Sequence, residues 1–96
     1  MEVRPASTVI LVRPAAAGVE VFMLRRSEKS AFAPNVYVFP GGTVDAVDRE
    51  AGAGIAPEEL RRLFRMESPP SSELQVSLLA AARRELLEEA GVALDD

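Results

Sequence analysis

Arg84-Glu85-Leu86-Leu87-Glu88-Glu89-Ala90-Gly91-Val92 closes the longest helical pattern in the chain. The pattern begins near Glu73, and its interior is built from strong helix formers, Leu79-Ala80-Ala81-Ala82 among them. Gly91 stands where a helix commonly ends on a left-handed residue. Glu85, Glu88 and Glu89 are spaced i, i+3 and i+4 and therefore share one helix face. They crowd at the carboxyl end, where the helix dipole is already negative. A solvated acidic face presents the same spacing, but stability alone would favour acids at the opposite end. A bound divalent cation would turn this repulsion into attraction. Arg84 can reach Glu88 at i+4 and offsets part of the cost.

Upstream of this helix the chain reads as strands followed by a turn-rich middle. Ser7 to Arg13 is an apolar, β-branched run that predicts one buried strand, and Val19 to Arg25 predicts a second. Ala15-Ala16-Ala17-Gly18 between them is the expected turn of an antiparallel hairpin. Arg26 to Asn35 is polar and without period, which predicts a loop, and Val36 to Phe39 predicts a third short strand. Pro40-Gly41-Gly42 should stop that strand in a turn whose backbone can approach a ligand closely. Residues 43–56 are small and turn-rich. Pro57-Glu58-Glu59-Leu60 then predicts a helix start, with proline at the first position and acids at the positive end of the dipole. Ser68 to Ser72 forms a linker, Ser72 is the expected N-cap of the last helix, and Gln75 is its capping-box partner. Arg25-Arg26 and Arg61-Arg62-Arg65 read as solvated faces, and Phe32 and Tyr37 as core.

Composition excludes several chemistries. The chain has 96 residues, 48% apolar and 27% charged, which suits one small globular domain. It contains neither cysteine nor histidine. Disulfides, thiolate or imidazole metal sites and a Ser-His-Asp triad are therefore ruled out. Any metal would need oxygen ligands, which points to magnesium, manganese or calcium. The net charge of −4 argues against general nucleic-acid binding. No apolar run is long enough to span a membrane, and the first residues lack a signal-peptide pattern. A cytoplasmic protein is expected.

The block Arg84 to Val92, taken with Phe39-Pro40-Gly41-Gly42, resembles the signature of the Nudix hydrolases. That signature is Gly, five residues, Glu, seven residues, then Arg-Glu-U-x-Glu-Glu-x-Gly-U, where U is bulky and aliphatic. The second half is present without gaps. The first half starts at Gly42, and Asp48 stands where the family has Glu. Asp48 and Arg84 then enclose 35 residues rather than seven, so the box is split by an insertion over about residues 49–76. Asp48 can serve across that insertion, Glu73 can substitute for it, or the role is lost. A split box with Val38-Phe39-Pro40-Gly41-Gly42-Thr43-Val44-Asp45-Ala46-Val47-Asp48 before the insertion is similar to that of the peroxisomal coenzyme A diphosphatases and their bacterial relatives.

The resemblance implies an α/β fold, the N-terminal portion of a Nudix α/β/α sandwich with a mixed sheet and the signature helix near the C-terminus. It implies metal-dependent hydrolysis of a pyrophosphate bond in a nucleoside-diphosphate-linked small molecule, coenzyme A or a related dinucleotide among them. Glu85, Glu88 and Glu89 would be ligands of Mg2+ or Mn2+, with a backbone carbonyl of Gly41 or Gly42 completing part of the shell. Arg84 would orient a carboxylate, and Leu86 and Val92 would pack the helix under the sheet. Residues 1–96 would then form a single truncated Nudix domain, since the family fold continues after the box with further strands and a helix. Two other readings follow from the same residues. One is a non-catalytic nucleotide-binding module. The other is an inactive piece completed by a C-terminal segment or a second copy, because an uncovered sheet edge favours association.

Overall fold

The computed structural model describes residues 4–27, 35–51 and 56–93. Phe32, with most of the expected loop from Arg26 to Asn35, falls outside them. In chain order the elements are β1 (Ala6–Thr8), β2 (Val12–Ala15), β3 (Gly18–Val21), β4 (Leu24–Arg25), β5 (Tyr37–Val38) and β6 (Gly41–Thr43). Three helices follow, α1 (Ala46–Ala51), α2 (Pro57–Leu63) and α3 (Ser72–Ala90). The described strands pair as three antiparallel ladders, β1 with β6, β2 with β3 and β4 with β5.

The expected first strand is divided. β1 ends at Thr8 and β2 begins at Val12, because the two belong to different ladders. Ile10 and Val12 are exposed rather than buried as the apolar run suggested. The hairpin itself forms where expected, with Ala15 opposite Gly18 and only Ala16-Ala17 in the loop. The second strand is also shorter than expected. It ends at Val21, and the chain then turns to pair Leu24 with Val38 and Arg25 with Tyr37. Asn35 closes that second hairpin with φ 63°, a left-handed conformation that asparagine tolerates. Tyr37, expected in the core, is largely exposed.

The larger correction concerns Gly41-Gly42. The pair lies in a strand and not in a turn. Ser7 stands opposite Gly42 and Thr8 opposite Gly41. Val9 N–H donates to Pro40 O at 2.8 Å and Val44 N–H to Pro5 O at 2.9 Å, so pairing continues beyond both ends of β6. At Gly41 a side chain has no room: φ is 156°, and a Cβ would collide with the backbone oxygen of Ser7. Absence of side chains lets β1 approach on one side and α3 on the other.

α1 is a second departure, since residues 43–56 carry no helical period. It forms through local capping. Asp48 N–H donates to Asp45 O at 3.0 Å, and Asp45 N–H donates to Asp48 Oδ2 at 2.8 Å. An acid at the third helical position that reaches back to the cap amide is the logic of a capping box. α2 starts at Pro57 as expected and buries Leu60. α3 is capped by Ser71 rather than Ser72: the Ser71 hydroxyl accepts from Leu74 N–H at 3.2 Å. Gln75 donates to Pro70 O at 2.8 Å and does not act as a capping-box partner. Gly91 ends the helix at φ 69° and donates its N–H to Leu87 O, as the sequence predicts.

The core follows α3. Leu86 and Ala81 are fully buried on it, and Val44, Leu60 and Pro40 are buried elsewhere in the described chain. α1, β1 and β6 all pack on this helix. Leu86 is fully buried and Val92 half-buried. Gln75 and Ser77 are buried polar residues of the same helix, and Ser77 Oγ donates to Glu73 O at 3.0 Å. No buried side-chain polar atom among the described residues lacks a partner. No helix among them is long and apolar enough to cross a membrane.

Candidate active site

Arg84 is the centre of the candidate site. Its guanidinium is seated by residues far apart in sequence. Nε donates to Asp48 Oδ1 at 2.8 Å and NH2 to Asp48 Oδ2 at 3.0 Å, a two-point contact across 36 positions. NH2 also donates to Thr43 O at 3.2 Å and lies 3.4 Å from Asp45 Oδ2. NH1 donates to Glu85 Oε1 at 2.8 Å and to Glu88 Oε2 at 3.2 Å. The planar guanidinium fork is suited to such a seat, whereas a lysine ammonium is not.

The 35 residues between Asp48 and Arg84 do not separate Asp48 from α3. α1 packs against α3, and Asp48 is almost completely buried between them. The same carboxylate caps α1 and pairs with Arg84. Asp48 is held below the usual carboxylate range chiefly by its hydrogen bonds from Arg84. Burial opposes this shift, and the Asp45 N–H and the positive charge of Arg84 reinforce it. Arg84 is raised in turn, first by the Asp48 hydrogen bond, against burial, and then by Glu85. Glu73, the alternative partner, lies exposed on the first turn of α3, and no described bond joins it to Arg84.

Glu85 and Glu88 both turn toward Arg84. Glu89 points to the strand instead, where its Oε1 accepts from Gly41 N–H at 2.9 Å. Glu85 and Glu89 therefore line the junction of α3 with β6, and Glu88, more exposed, joins it through Arg84. Among the described residues no three acids stand close enough together to form a ready metal cluster. Their donor chemistry nevertheless suits a hard cation, since all are carboxylate oxygens. The bonds above engage Oε1 of Glu85, Oε2 of Glu88 and Oε1 of Glu89, one oxygen of each pair. One guanidinium also faces four carboxylates, those of Asp45, Asp48, Glu85 and Glu88. The junction is thus locally negative and attracts cations. Gly41 and Gly42 lie in the strand that forms its other wall.

The sequence reading missed Asp45, Thr43 and Ser7. Asp45 had a signal, an acid directly before Ala46 and three residues before Asp48, which is an N-terminal helix pattern. Thr43 acts through its backbone oxygen, which no side-chain pattern reveals. Ser7 Oγ donates to Leu78 O at 2.6 Å and ties β1 to α3, a contact set only by the packing.

No family model matches the chain. It is 32% identical to the acyl-coenzyme A diphosphatase NUDT19 of Xenopus laevis over 95 aligned positions, which cover 78% of this chain and 25% of that protein. It is 38% identical over 61 positions to a Caenorhabditis elegans protein that carries the name nudix hydrolase 7, with 64% of this chain and 20% of that protein covered. The crystal structure of a NUDIX hydrolase from Alicyclobacillus acidocaldarius superimposes with a TM-score of 0.68 at 27% identity. That match covers 97% of this chain and 39% of the other. The chain therefore spans a quarter or less of the length of these two relatives.

Proposed function

The chain belongs to the Nudix hydrolase superfamily, and from that premise we propose that it carries the catalytic helix of a metal-dependent pyrophosphohydrolase. The substrate would be a small molecule with a nucleoside diphosphate linked to another moiety. One observation carries the reading: Glu85 and Glu89 meet β6 and Glu88 joins Glu85 on Arg84, with Arg84 and Gly41 N–H holding one oxygen of each. Glu85, Glu88 and Glu89 would hold Mg2+ or Mn2+, with a backbone carbonyl of Gly41 or Gly42 as a further oxygen donor. Such an ion, when bound, neutralises pyrophosphate charge and acidifies a water for attack on phosphorus. Arg84 orients the glutamates, and Asp48 fills the place of the first box glutamate by anchoring Arg84. Residues 49–76, which include α2, are an insertion in the box of this single domain. The cytoplasmic location expected from the sequence is part of the same proposal, as is the absence of nucleic-acid and membrane partners.

The test is turnover. The protein is incubated with coenzyme A, NADH, ADP-ribose and a nucleoside triphosphate, each with Mg2+ or Mn2+. Coenzyme A comes first, because the Xenopus relative is named for acyl-coenzyme A. Hydrolysis that disappears in the Glu88→Gln, Glu89→Gln double variant is expected. Hydrolysis that persists there sinks the assignment. Calorimetric binding of a nucleotide without turnover across metals would mark the chain as a binding module instead.

A further inference from the structure

Gly41 and Gly42 are neighbours in β6, yet they are glycine for different reasons. Gly41 has positive φ, and a Cβ there would strike the backbone of Ser7 and Thr8. Gly42 is not among the residues with positive φ, so its backbone accepts any L residue. What a Cβ at Gly42 would meet is the carboxyl end of Glu85: Cδ and Oε1 at 2.6 Å and Cγ at 3.1 Å. Carbon atoms in contact settle near 3.5–4.0 Å, so the two cannot share that space. The Glu85 carboxyl, the far end of a flexible side chain, would have to shift, and a shift disturbs its hydrogen bond with Arg84 NH1.

We infer that Gly42 is a positioning residue, whose missing side chain is the seat of the Glu85 carboxylate against Arg84. Gly41 by contrast serves the β1–β6 ladder. The functional consequence rests on the reading of Glu85 as a metal-face residue, but the steric relation does not.

The experiment is a double-mutant cycle on the protein, read by thermal unfolding and by Mn2+ binding. Gly42→Ala is expected to lower Tm by a few degrees, up to about 4 °C, in the native background. In a Glu85→Ala background the same change should leave Tm unchanged or raise it, since alanine at an ordinary φ restricts the unfolded chain. Gly41→Ala should lower Tm in both backgrounds. An equal loss for Gly42→Ala in both backgrounds overturns the inference. If Gly42→Ala alone does not fold, Glu85→Ala must restore folding, and failure to restore it also overturns the inference. In electron paramagnetic resonance titration with Mn2+ alone, Gly42→Ala should bind several-fold more weakly than the unaltered protein. Unchanged affinity removes the positioning role. An unaltered protein that binds no Mn2+ defeats the metal reading, while the thermal cycle still decides the steric one.

Discussion

Two arginine–carboxylate pairs of nearly equal length stand in opposite settings in this molecule. Arg84 meets Asp48 at 2.8 Å, with the two side chains 20% and 2% exposed. Arg13 meets Glu20 at 2.7 Å, with the two side chains 76% and 55% exposed. Distance does not separate them, but solvent does. The exposed pair joins residues already opposite one another in the β2–β3 hairpin, and water screens it. The buried pair joins α1 to α3 and is shielded from that screening. The hairpin also presents Val12, Val19 and Val21 to solvent, whereas the helix junction buries Leu86 and Val44. One region is held by its own ladder, the other by packing plus a charge network.

The largest effect should follow from breaking the buried pair. Asp48→Ala leaves Arg84 without its principal partner and α1 without its cap contact. A loss of about 2–3 kcal/mol in urea unfolding is expected, at the low end for a buried pair because Arg84 retains some solvent contact. A loss below about 1 kcal/mol would place this pair with the surface one and end the contrast.

Acid should sharpen the same comparison. The pKa of Asp48 is lower in the folded protein than in the unfolded chain. Its contribution to stability is therefore fully present above the unfolded value, near 3.8. It is lost as pH falls through the lower folded value, where protonation breaks the pair. Stability measured from pH 6 down to pH 2 should fall less steeply at the acid end in Asp48→Asn than in the unaltered protein. Parallel curves would show that Asp48 does not couple protonation to folding. The smallest effect is expected at the hairpin: Arg13→Ala should change urea stability by less than about 0.5 kcal/mol, and less still at 1 M salt. A larger, salt-sensitive loss would mean that the hairpin depends on its surface charge.

Local chemistry made some of this protein legible before any coordinates. Pro57 at the head of α2, Gly91 at the end of α3 and the common face of Glu85, Glu88 and Glu89 follow from propensity, capping and helical spacing. Those are interactions among near neighbours in the chain. The apolar run from Ser7 to Arg13 misled for the converse reason: strand length depends on a partner, and β1 and β2 have different ones. α1 was missed because its periodicity is absent and its stability comes from Asp48, which serves a distant arginine. Gly41-Gly42 read as a turn because glycine signals one, yet here two glycines admit β1 and the Glu85 carboxylate at close range.

By itself the sequence determined the acidic face of the last helix, the ends of that helix and a set of side chains without thiol or imidazole. These follow from residue identity and spacing along one helix. Only the tertiary structure decided which distant acid partners Arg84, and which glycine makes room for a strand and which for a carboxylate. Those outcomes depend on burial and on contacts between residues tens of positions apart, quantities that no local pattern carries.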